Sequence, residues 1–133
     1  MKHIIGTNVY IKEPSHSIWS MARIGEFNCN TLFSVRVYSG EGPIPHFHVV
    51  DTKNGNESCI RIDCADYFSH DTKTYKLNSK EKKKLIEFLN TISPFEEDEN
   101  KTYYMLIWAE WNRNNPEYRI SKPQSIPDYS ELK

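Results

Sequence analysis

The chain has 133 residues, 38% of them hydrophobic, 26% charged and 13% aromatic, which suits one compact domain and excludes a disordered polymer. The 17 Lys and Arg against 18 Asp and Glu leave a formal charge of -1, so no whole-molecule field draws the chain to nucleic acid or to an anionic membrane, and any such contact has to be local. No run approaches the roughly 20 apolar residues of a bilayer span, the opening Met1–Gly6 is too short for a signal peptide, and Cys29, Cys59 and Cys64 lack CxxC spacing and are read as reduced thiols.

These exclusions predict a cytoplasmic protein, one domain over residues 1–133, with no membrane partner. In chain order, Val9-Tyr10-Ile11 and Ile18-Trp19-Ser20-Met21 are short apolar runs interrupted by Pro14 and Gly25, which predicts two short strands rather than a long helix. From Thr31 the alternation is cleaner: Phe33, Val35 and Val37 point one way while Ser34, Arg36 and Tyr38 point the other, the period of a half-buried strand. Ser39-Gly40-Glu41-Gly42-Pro43-Ile44-Pro45 breaks this pattern as a loop. His46 to Val50 resumes it, Asn54-Gly55-Asn56 supplies turn chemistry, and Ser58 to Asp63 runs back antiparallel.

Beyond His70 the apolar period lengthens. Leu85, Phe88, Leu89 and Ile92 fall at i, i+3, i+4 and i+7, with Asn78 and Glu81 placed as a capping box. An amphipathic helix of about four turns is expected there, stopped by Ser93-Pro94. Glu96-Glu97-Asp98-Glu99 then precedes a second helix, where negative charge suits exposed amides; Tyr104, Ile107, Trp108 and Trp111 form its buried stripe and Pro116 ends it. Residues 117–133 read as an extended C-terminal tail that wraps the domain or moves freely. Strands followed by helices predict an α+β fold: a small antiparallel β-sheet with two C-terminal helices packed on one face and its other face partly open.

The stretch Pro45-His46-Phe47-His48-Val49 is the most distinctive. Residues i and i+2 of a strand share a face, so His46 and His48 stand side by side, outward from the strand. Two imidazoles so placed can hold a divalent metal such as zinc, with His70 and Asp63 as candidate further ligands and Cys59 nearby. On the return strand Cys59, Arg61 and Asp63 share a face, and the pairing register decides whether it meets the histidines. The opposing expectation is that no cofactor binds and the two rings are hydrogen-bonding strand residues beside Arg36 and Arg61.

Gly40, five residues, His46, one residue and His48 resemble the opening of the first motif of cupin metal-binding barrels, but no glutamate stands at Thr52 or Lys53 and no second motif follows. A wider resemblance joins the Phe33 to Val50 strand, loop and signature, Cys59-Ile60-Arg61-Ile62, the Leu77 to Leu89 helix and the Trp108 to Asn115 helix end. In this order they resemble the bacterial and phage-associated domain of unknown function 4160 family, over roughly residues 31 to 115. Ile44 stands where that family usually has a second proline. The resemblance implies a small protein encoded beside another, in a toxin–antitoxin-like or mobile-element arrangement, and brings no catalytic residues with it.

Lys80, Lys82, Lys83 and Lys84 gather cations in the first turns of a helix, where an anion such as nucleic-acid phosphate would be welcome, with Arg36 and Arg61 as extensions of the patch. Trp19 and Tyr129 lie outside the second helix stripe and are partner contacts wherever exposed. No phosphate loop, nucleophile elbow or carboxylate pair is present. The sequence therefore predicts, first, a noncatalytic binding or regulatory protein that engages a protein partner or its own copy through the open sheet face and the tail. The alternatives are a metal-dependent hydrolase using His46 and His48, or a nucleic-acid-binding protein using the lysines.

Overall fold

A computed structural model describes the backbone of residues 8–12 and 18–20, and residues 21–68, 70, 72–121 and 125–133 with their side chains. Five strands, β1 (Asn8–Lys12), β2 (Ile18–Cys29), β3 (Thr31–Tyr38), β4 (His46–Asp51) and β5 (Glu57–Arg61), lie in the sheet in sequence order, each antiparallel to the next. Helices α1 (Ser79–Leu89) and α2 (Tyr103–Asn114) follow. The α+β order stands, and two strands do form over the first thirty residues, but β2 is not short: it runs 12 residues through Gly25, where its register against β3 shifts; the side chain of Trp19 lies outside the described residues.

Strand register separates two faces. Val35 sits opposite Val49 and Phe47 opposite Ile60, and with Phe33 and Val37 they join Leu85, Phe88, Leu89, Tyr104, Ile107 and Trp111 in one core. The helices therefore cover this face, and each large apolar side chain sealed there contributes about 1.5–3 kcal/mol. On the other face Arg36 lies opposite His48, His48 opposite Cys59, and His46 opposite Arg61. That face is not open at the β4–β5 end. The chain after β5 returns along the sheet edge, with Ile60 bridged to Tyr67 and Ser58 to Thr74, and between those bridges it carries His70 over the histidines.

The capping box of α1 forms as the spacing requires: Glu81 N–H donates to Asn78 at 2.8 Å, and Asn78 N–H to the Glu81 carboxylate at 2.9 Å. The helix is shorter than four turns. Asn90 caps it after 11 residues, so Ile92 lies beyond the apolar face and is 55% exposed. The acidic run is also not the start of α2. It forms a 3-10 turn (Glu96–Asp98) with Asp98 turned inward to accept from Ser93, and the Thr102 hydroxyl caps α2 instead. The tail wraps: Tyr129 and Leu132 are buried, and the Tyr129 hydroxyl donates to the Arg61 carbonyl at 2.7 Å. Tyr129 is thus a core residue rather than a contact surface. No helix among the described residues is long and apolar enough to cross a membrane.

Candidate metal centre

His46 and His48 project from the same side of β4 with ring centroids 5.2 Å apart, the adjacency that strand geometry demands. Both are buried, each 1% exposed, rather than outward. Phe68 covers His46 at 4.6 Å between centroids, Tyr38 meets His48 edge-on at 4.6 Å, and Trp111 lies 5.5 Å from His46. Two further groups enter this aromatic box. Glu41 comes from the β3–β4 loop, where Gly40 adopts φ +69°, and His70 comes from the return segment. The Glu41 carboxylate meets the Nε2 atoms of His46, His48 and His70 at 3.3, 2.5 and 2.7 Å. One donor atom from each of these four residues lies within 4.8 Å of the other three.

The partners on the far side of two rings decide what faces the centre. His46 Nδ1 lies 2.7 Å from the Ile44 carbonyl, which can only accept, so Nδ1 carries a hydrogen, and Nε2 faces Glu41, donating to it when the ring carries a second proton and free to present its lone pair to an ion when it does not. His48 Nδ1 lies 2.6 Å from Glu57 Oε2 and 3.4 Å from Cys59 Sγ, so it too donates outward. Tethering one imidazole nitrogen to a carbonyl or carboxylate and aiming the other inward is the arrangement that orients histidine ligands on metals.

Electrostatics follow from the same contacts. Burial pushes the Glu41 carboxyl up, but hydrogen bonds from His46 and His48 outweigh it and hold the group well below the usual carboxylate range. Burial opposes charge on His48, yet its contacts with Cys59, Glu41 and Glu57 push it up to about 11. Glu57 is lowered, against its own burial, by the hydrogen bond from His48. With Nδ1 committed to Glu57, a proton on Nε2 is what reconciles His48 with Glu41 in the metal-free protein. A divalent cation would take the place of that proton with the Glu41 oxygen drawn back, since two donors about 2.0–2.1 Å from one tetrahedral ion stand about 3.3 Å apart rather than 2.5 Å.

Of the ligands expected from sequence, His46, His48 and His70 are brought together and Asp63 is not. Arg61 takes both Asp63 oxygens at 2.9 and 2.8 Å in an exposed pair, which turns that carboxylate away from the histidines. Cys59 meets His48, so the register does bring its face to the imidazoles. The basic residues do not form one patch. Lys80, Lys82, Lys83 and Lys84 lie on α1, on the helix-covered side, with Lys82 donating to the Leu132 carbonyl at 3.0 Å and Lys84 3.6 Å from Glu87. Arg36 belongs to the opposite face, its Nε 3.1 Å from Ser34 Oγ.

Two residues escaped the sequence reading. Glu41 is the acidic residue of an otherwise neutral loop, five positions before His46, and its acidity there was the available signal. Glu57 sits two residues before Cys59 and so shares its face, a signal contained in the hairpin register. Comparison of the chain with protein-family models, curated proteins and solved structures finds no match.

Proposed function

We propose that the protein is a metalloprotein that binds one divalent transition-metal ion through Glu41, His46, His48 and His70. The observation that carries this is the convergence of three imidazole nitrogens on one carboxylate while the opposite nitrogens of His46 and His48 are already engaged. A donor set of nitrogen and oxygen atoms without thiolate suits zinc, iron, manganese or nickel. The Glu41 and His70 side chains are 13% and 27% exposed against 0% and 1% for His46 and His48, so an outside molecule would approach the ion from the Glu41–His70 side. An ion that takes more than four ligands would keep a position there for a water or substrate oxygen and supply Lewis-acid chemistry to it, the condition under which the metal-dependent hydrolase reading applies, whereas a four-coordinate zinc ion would be filled by these residues.

The resemblance to the domain of unknown function 4160 family belongs to this proposal, because the His-aromatic-His strand that carries it provides two of the four ligands. The reading as a binding protein acting through its tail has less support, since Tyr129 and Leu132 are packed into the core. The test is the metal content of untagged protein. The proposal expects about one equivalent of a transition metal, lost in His46→Ala; a metal-free protein that takes up neither zinc nor cobalt would reject it.

A further inference from the structure

Glu41 is the one ligand of this centre that stands on a loop between strands, so its place must be fixed by contacts outside the sheet ladder. Those contacts come from the end of α2. Asn115, the residue that caps α2, is 4% exposed. Its Oδ1 accepts the Glu41 backbone N–H at 3.3 Å, and its Nδ2 donates to the Tyr38 carbonyl at 2.9 Å and to the Trp111 carbonyl at 3.3 Å. One amide thus ties both ends of the turn that leads from β3 to Glu41. Three residues further on, the Tyr118 ring lies against Gly42: a Cβ on Gly42 would fall 1.9 Å from Tyr118 Cδ2. Tyr118 is itself held by its carbonyl, which accepts from Trp111 Nε1 at 2.8 Å.

We infer that Asn115 is a positioning residue for the metal ligand Glu41, with Tyr118 closing the loop from its other side. The inference rests on the metal reading above. It assigns to α2, which provides no ligand, control over the affinity of the site. An amide that holds the ligand's own N–H limits the orientations the carboxylate can adopt, and loss of such outer contacts typically weakens a metal site about 10- to 100-fold.

The experiment is a double-mutant cycle read by Co2+ titration, following the visible absorption bands of the bound ion. Asn115→Ala is expected to weaken Co2+ binding about 10-fold when Glu41 is present and less than about twofold in a Glu41→Ala background. Equal losses in both backgrounds, or affinity unchanged in Asn115→Ala, would overturn the inference while leaving the metal centre intact. A parent protein that binds no Co2+ would remove the metal reading and this inference together. If Asn115→Ala does not fold, Tyr118→Ala, at a position 42% exposed, replaces it in the same cycle: weakened binding that depends on Glu41 supports the inference, and parental affinity contradicts it.

Discussion

Glu57 accepts the Nδ1 proton of His48 at 2.6 Å from the neighbouring strand. Because the carboxylate raises the basicity of the ring and fixes its orientation, it would act on an ion held by His48 without touching it. Glu57→Gln keeps an acceptor and removes the charge, and it is expected to lower zinc affinity at least about 10-fold and also to lower the urea midpoint of the metal-free protein near neutral pH, where the His48–Glu57 pair is charged. Chelator competition measures the first quantity and urea titration the second.

The charge state of the same pair sets a pH dependence. His48 rises from its ordinary 6.5 to about 11, so its contribution to stability is complete below 6.5 and is lost as pH climbs toward 11. Glu41 and Glu57 are held below their ordinary 4.5, so theirs is present above 4.5 and is lost as pH falls through their depressed values. The metal-free protein should be most stable between these limits. Urea midpoints measured from pH 4 to 9 on the parent and on His48→Asn should converge as pH rises; a difference that stays constant above pH 6.5 would contradict the charged state of His48.

Gly42 has a steric reason to be glycine, since any side chain there would enter the Tyr118 ring. Gly42→Ala should displace Tyr118, lower zinc affinity and increase exposure of the Glu41 loop to limited proteolysis. Unchanged affinity with Tyr118 displaced would contradict the role of Tyr118 in closing the loop.

A control on the scaffold is independent of the metal. Removing the Asn78 side chain takes away the acceptor of the Glu81 N–H and leaves the Asn78 N–H on the Glu81 carboxylate, and Asn78→Ala should cost about 1 kcal/mol in urea unfolding while leaving zinc stoichiometry at its parental value.

The parts of the molecule legible in the sequence were those written in local periodicity or local hydrogen bonding. The alternation at Phe33, Val35 and Val37 gave β3, and Asn78 with Glu81 gave the start of α1. The adjacency of His46 and His48 follows from strand geometry alone. The end of α1 was misplaced because Ile92 continues the apolar period that the cap at Asn90 cuts. Asp63 looked available because a carboxylate two residues from an arginine in a strand carries no sign of whether the two will pair, as they do. Burial of the two imidazoles depends on a chain return more than twenty residues away, through Phe68 and His70. No local pattern reports such a long-range closure, and for the same reason the lysine run and Arg36 could not be seen to occupy opposite faces.

The measurement that bears most directly on the centre is X-ray absorption at the zinc edge on protein loaded with one equivalent of Zn2+. The account predicts a first shell of nitrogen and oxygen at about 2.0–2.1 Å with outer-shell scattering from imidazole rings, lost in Glu41→Ala/His48→Ala. A sulfur shell at about 2.3 Å, which would draw Cys59 into the coordination sphere, or the absence of imidazole scattering, would contradict it.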